Sequence, residues 1–134
     1  MSSTSNHWYQ HARRRSVVDM HITDHDERFL TQFNADTYVD LLKLAQMQSA
    51  VVYAHSHVGW FYYPTRIGQI HPNLKGRDIF AEVLERCQKA GIKVVAYCSL
   101  IFDCHAYNHH PDWRIHLVED RKSTRLNSSH DQIS

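Results

Sequence analysis

Apolar residues along this chain fall into short continuous runs separated by segments with helical spacing. Three runs have the length and β-branched character of buried strands: Ser16-Val17-Val18-Asp19-Met20-His21-Ile22, Ala50-Val51-Val52-Tyr53-Ala54 and Ile92-Lys93-Val94-Val95-Ala96-Tyr97-Cys98-Ser99-Leu100. Between the first two, Tyr38, Leu41, Leu42 and Ala45 repeat at helical spacing behind a capping Asp36, which predicts a helix over about 36–48. Ile79, Phe80, Val83, Leu84 and Cys87 form the stripe of a second helix over about 77–90, with Gly91 in the left-handed position that ends it. The order is strand-helix-strand-helix-strand. Amphipathic helices alternating with nearly continuous apolar strands are what a parallel sheet covered by helices requires.

The connections are asymmetric. Helices return to strands through terse links, Gln48-Ser49 and Ala90-Gly91, whereas strands open into long segments rich in histidine and aromatic residues. The longest, from His55 to Gly76, carries Gly59, Gly68, Pro64 and Pro72, so an ordered, turning loop is expected rather than a helix. This is the asymmetry of a β/α barrel, whose site lies at the carboxyl ends of its strands. The fold class expected is α/β: the N-terminal strand-helix-strand-helix-strand portion of a (β/α)8 TIM barrel with parallel strands. Residues 1–121 form that partial domain. From Lys122 the chain is polar and aperiodic, similar to translated adapter sequence, and residues 122–134 are expected to be a non-native or disordered tail.

Composition narrows the function classes. With 134 residues the chain holds one domain at most, and 43% hydrophobic with 22% charged residues is ordinary for a globular protein. A formal net charge of +1 gives no basic stripe for nucleic acid, and Arg13-Arg14-Arg15 is too short to make one. No apolar run reaches membrane-spanning length and no signal-peptide core is present, so a cytoplasmic location is the default expectation. Cys87, Cys98 and Cys104 are odd in number and fall in or beside core elements, so reduced packing cysteines are expected. Twelve histidines are the compositional outlier, and they concentrate after the strands.

Alternation along a strand puts Asp19, His21, Thr23 and His25 on one parity and His55 and His57 on another shared face. Converging imidazoles suit either hydrogen bonds to the hydroxyls of a polar substrate or coordination of a divalent metal. Trp60, Phe61, Tyr62 and Tyr63 follow at once, and aromatic faces beside polar donors favour a sugar ring over phosphate or peptide. Asp24, Asp26 and Asp103 stand at strand ends, but their spacing assigns none of them the acid/base work a glycosidase divides between two carboxylates, and loop-capping roles are expected. His105, His109 and His110 fall in a segment expected to be a solvated loop ending in Pro111-Asp112-Trp113. No phosphate-binding glycine loop, nucleophile elbow or paired CxxC is present in the sequence.

Five stretches carry a resemblance: Phe33-Asn34-Ala35-Asp36, His55-Ser56-His57-Val58-Gly59-Trp60-Phe61-Tyr62-Tyr63-Pro64-Thr65, His71-Pro72-Asn73-Leu74, Ala90-Gly91-Ile92-Lys93-Val94 and His110-Pro111-Asp112-Trp113. In this order they resemble the N-terminal part of a glycoside hydrolase family, hypothetical glycosyl hydrolase 6-like, related in fold to α-L-fucosidases. The resemblance implies a carbohydrate substrate, no cofactor, and a catalytic carboxylate pair supplied by later strands beyond residue 121. Fucosidases use a His-His-Asp-Gly-Phe stretch to hold the sugar. Here it is similar to His55-Ser56-His57-Val58-Gly59-Trp60, with Val58 where that pattern has aspartate. The residues it implies as substrate-binding are His57 and Trp60, with His55 behind them, Tyr62 beside them, and His21 on the pocket floor.

Two other readings stay open at this level. A metal-dependent hydrolase would use His55 and His57 with His21 or His25 around zinc or manganese, and needs three or four ligands within about 2.0–2.2 Å of one point. A non-catalytic carbohydrate-binding module would need the strands to fold unaided. Three parallel strands leave two unpaired edges and an inner face on which Val18, Val52 and Val95 lack an opposing wall, so the isolated chain is expected to be poorly soluble or partly molten.

Overall fold

A computed structural model describes residues 7–115, so the expected tail lies outside the described residues. Its described elements are α1 (Trp8–His11), β1 (Arg15–Val17), α2 (Ala35–Leu44), β2 (Ser49–His55), β3 (Trp60–Phe61), β4 (Gln69–Ile70), α3 (Ile79–Lys89), β5 (Lys93–Cys98) and α4 (Cys104–His109), with 3-10 turns at Pro72–Leu74 and Pro111–Trp113. The fold is a mixed α/β arrangement. β2 lies at the centre, paired in parallel with β1 on one edge and with β5 on the other. Beyond β1, β3 takes up the same edge in antiparallel pairing, His55 opposite Phe61, and β4 adds to β3 in parallel.

Both main helices sit where periodicity predicts, with shorter ends. The first is capped by Asn34, whose side chain accepts the Thr37 N–H, rather than by Asp36, which becomes a first-turn acid paired with Arg86. Its buried stripe is Ala35, Val39 and Leu42, while Leu41, expected to be buried, faces solvent. The α3 helix begins at its cap Asp78 and buries Ile79, Val83 and Cys87. Gly91 has φ +72° and ends it as expected.

The first strand is much shorter than its apolar run. The Asp19 carboxylate accepts the His21 N–H, a local bond that competes with the ladder, so the chain leaves the sheet after Val17. Within the long connection, the expected turning loop contains the short β3–β4 ladder. Gly68 lies against the Phe61 ring, where a Cβ would come within 2.2 Å of it. The segment 104–109, expected to be loop, is helical because Asp103 caps it through the Ala106 N–H.

The sheet has two unlike faces. Ala50, Val52 and Ile92 pack against α2 and α3, forming one core with Ala35, Val39, Leu42, Val83 and Cys87. On the other face lie Val17, Val51 and Val95, register partners across three strands, and further along Tyr53 and Tyr97. Val52 therefore belongs to the covered face, not the open one. Val17 is 63% and Val95 43% exposed. A second core of Met20, Tyr53, Tyr62, Leu74 and Ile79 closes the carboxyl end of the strands. All three cysteines are free, with Cys87 buried but Cys98 exposed on β5 rather than packed. Among the described residues no helix is long and apolar enough to cross a membrane.

Candidate functional site

The polar chemistry collects at the carboxyl ends of β1, β2 and β5, on the face opposite α2 and α3. Tyr53 and Tyr97, opposite each other in the parallel register, stack with ring centroids 4.2 Å apart and planes 22° apart. His21 stands edge-on to both rings, at 4.9 Å from Tyr53 and 5.5 Å from Tyr97. The His57 ring lies 3.6 Å from that of His21. Asp19 completes the group, its Oδ1 3.8 Å from His21 Nε2 and 3.5 Å from the Tyr53 hydroxyl.

This geometry sets the protonation of His21. The His57 backbone N–H donates to His21 Nδ1 at 3.1 Å, so Nδ1 is an acceptor and the neutral ring carries its proton on Nε2. That N–H faces the Tyr53 hydroxyl at 3.4 Å and Asp19 beyond it. Burial, then the neighbouring Asp19 charge and Tyr97, push the Tyr53 phenol up to about 12, so it remains a neutral donor and acceptor. The cluster thus presents imidazole rings and phenol hydroxyls around one carboxylate, which is chemistry for holding hydroxyl groups.

The other candidates have different surroundings. His55 is 3% exposed, sandwiched on Phe61 at 4.2 Å, its Nδ1 donating to the Ser99 carbonyl at 3.0 Å. Its Nε2 lies 3.4 Å from Asp103 Oδ2, an electrostatic contact rather than a formed hydrogen bond. Burial alone would raise the Asp103 carboxyl. The His55 ring and the Ala106 and His105 N–H groups outweigh it and hold Asp103 below the usual carboxylate range. Tyr62 is 0% exposed: its hydroxyl donates to the Met20 carbonyl and accepts the Ile22 N–H at 3.3 Å. It ties down both neighbours of His21 and offers no surface to a ligand. Trp60 is half-buried beside His71, 5.8 Å between ring centroids. Its buried Nε1 has no hydrogen-bond partner among the described residues.

His25 is exposed, bonded to the Thr23 hydroxyl and edge-on to Phe29 at 5.1 Å. Of the four histidines weighed as metal ligands, only His21 and His57 come together. Among the described residues no group of three or more His, Cys, Asp or Glu side chains could hold a metal ion. Asp26 serves its own turn, taking up the Arg28 backbone and guanidinium.

Sequence reasoning passed over Tyr53, Tyr97 and His71. The first two were available from parity, since they share a face with Val51 and Val95 two residues before them. His71 falls in one of the stretches that carry the resemblance, which assigns it no role; it is buried, its ring bonded to the Thr23 carbonyl at 3.1 Å and to the Asn73 N–H at 3.2 Å, and burial lowers its pKa.

The family model described as Hypothetical glycosyl hydrolase 6 matches residues 34–131. Alpha-L-fucosidase isoenzyme 2 from Paenibacillus thiaminolyticus is similar in structure, with a TM-score of 0.74 and 25% identity over 86% of this chain and 18% of its own. Alpha-L-fucosidase AlfC from Lactobacillus casei, in complex with its alpha-L-fucose product, gives 0.51 and 30% over 71% of this chain and 30% of its own. A GH29 alpha-L-fucosidase from Bacteroides thetaiotaomicron shares the fold at 22% identity and a TM-score of 0.53, over 65% of this chain and 19% of its own. The chain thus spans no more than 30% of the length of these enzymes. No curated protein matches it.

Proposed function

This chain belongs to the hypothetical glycosyl hydrolase 6 family, and we propose that it is the N-terminal portion of a (β/α)8 TIM barrel that binds a carbohydrate for acid/base hydrolysis of a glycosidic bond. The observation that carries the reading is the pairing of His21 with His57 above the stacked Tyr53 and Tyr97, at the carboxyl ends of parallel strands on the face opposite α2 and α3. In this account His21 Nε2–H and the His57 imidazole hydrogen-bond sugar hydroxyls, and Trp60 supplies an aromatic wall. His55 and Tyr62 act behind them, holding the loops that carry the two histidines. The acid and the second carboxylate come from later strands, across the scissile bond.

The open face argues for a longer barrel over a self-contained binding module. Val17, Val51 and Val95 form a continuous apolar strip across three strands, and further strands closing the barrel would bury it. Reading the source locus across codon 121 tests this. A frame continuing into strand-helix units with Asp or Glu at strand ends supports the barrel enzyme. A frame that stops at residue 134 favours a small sugar-binding protein.

A further inference from the structure

Beyond the His21–His57 cluster, the described part of the chain ends in an aromatic and imidazole surface that the site above does not use. Trp113 is 70% exposed and lies nearly parallel to His110, ring centroids 4.1 Å apart and planes 17° apart. The stack holds one face of the indole, while the ring as a whole stays open to solvent. On the helix just before it, His105 and His109 lie with ring centroids 4.0 Å apart. The His109 Nδ1 donates to the His105 carbonyl at 2.9 Å, which leaves Nε2 as the ring nitrogen not used within the helix turn.

This surface is tied to the candidate pocket by backbone. The Cys104 N–H donates to the His57 carbonyl at 3.0 Å, so α4 starts on the residue that pairs with His21. Gly59, two residues after His57, lies so close to α4 that a Cβ there would come within 2.6 Å of His105 Cβ. From that anchor the helix of six residues runs only about 9 Å before the Pro111–Trp113 turn. The stretch from His105 to Trp113 therefore begins at the His57 rim and carries an exposed indole and three imidazoles away from it.

We infer that the His110–Trp113 stack, with His105 and His109 on the helix before it, is a second carbohydrate subsite that takes the sugar ring adjoining the one held by His21 and His57. The inference rests on the carbohydrate reading of the main site. Chemically it suits a pyranose: a planar aromatic face covers the C–H-rich side of the ring, and imidazole nitrogens on the same short segment are donors and acceptors for hydroxyls. An exposed aromatic already supported on one side needs little reordering on binding, which favours it as an anchor.

The test uses the protein encoded by the full reading frame and titrates a panel of methyl glycosides and the matching disaccharides. The expected result is a disaccharide bound about tenfold more tightly than its terminal monosaccharide. Trp113→Ala should remove that preference and leave monosaccharide affinity within about twofold, so that monosaccharide binding reports an intact fold. His57→Ala should abolish binding of both. A disaccharide preference that survives Trp113→Ala, or no preference in the unaltered protein, overturns the second subsite. If Trp113→Ala also loses the monosaccharide, His110→Ala is read in its place, and the same loss there overturns a separate subsite. Retention of monosaccharide binding by His57→Ala instead overturns the main-site reading, and no binding to any glycan overturns both.

Discussion

Replacing Val17 and Val95 by threonine should have opposite consequences in the isolated chain and in the longer protein. The two valines lie on the open sheet face with Val51 between them, one register step from each. At 63% and 43% exposure they have little to lose in the isolated chain, and the added hydroxyls meet water. The double variant should therefore aggregate less and bind less of a hydrophobic dye, with its circular dichroism unchanged. In a closed barrel the same side chains face an opposing wall. Each substitution then buries a hydroxyl without a partner, at a cost of about 1–3 kcal/mol. The two positions are separated by two strand spacings, roughly 9.6 Å, so their effects should nearly add. Thermal unfolding of the full-frame protein should show a double-variant loss of about 2–6 kcal/mol. A loss below about 1 kcal/mol there, with both hydroxyls tolerated, would refute burial of this face.

Three further outcomes follow from the site's supports, each read on the full-frame protein. Tyr62→Phe keeps the ring but leaves the buried Met20 carbonyl without its donor, so urea unfolding should show a loss of about 1–3 kcal/mol; a change under about 0.5 kcal/mol contradicts the pinning role. Gly59→Ala forces a side chain at φ +100° into the His105 backbone and should cost about 1–3 kcal/mol or more, with sugar binding weakened because the His57 rim shifts. His71 has a folded pKa depressed by burial, so protons bind the unfolded chain first as pH falls through the ordinary value of about 6.5. Stability should thus be full above that value and decline as pH drops from 7 to 5. A histidine proton titration placing His71 at or above 6.5 would contradict this.

The parts of the fold set by repetition could be read from the sequence, and the parts set by single side chains could not. Amphipathic spacing marks α2 and α3, and the apolar runs mark β2 and β5 as parallel neighbours. The first run misleads because Asp19 takes the His21 N–H, a local bond with no periodic signature, and so turns His21 toward His57 rather than along a strand. That same departure is what brings the two histidines together. Helix α4 was hidden because its only start signal is Asp103, in a segment whose histidines and tyrosine read equally well as loop. Trp60, His55 and Tyr62 share a run with His57, and no periodicity within that run separates buried from open positions. The antiparallel β3 separates their surroundings: Tyr62, just after it, is fully buried, and His55, opposite Phe61, lies flat on that ring.

The most direct test of the site is the ring-nitrogen spectrum of the histidines in the full-frame protein, recorded while the panel of methyl glycosides is added. The account predicts that His21 begins as the Nε2–H tautomer and that His21 and His57 shift together on binding, while buried His55 and His71 stay in place. Shifts confined to His55 and His71, or a His21 ring protonated on Nδ1 with no response to any glycoside, would contradict it.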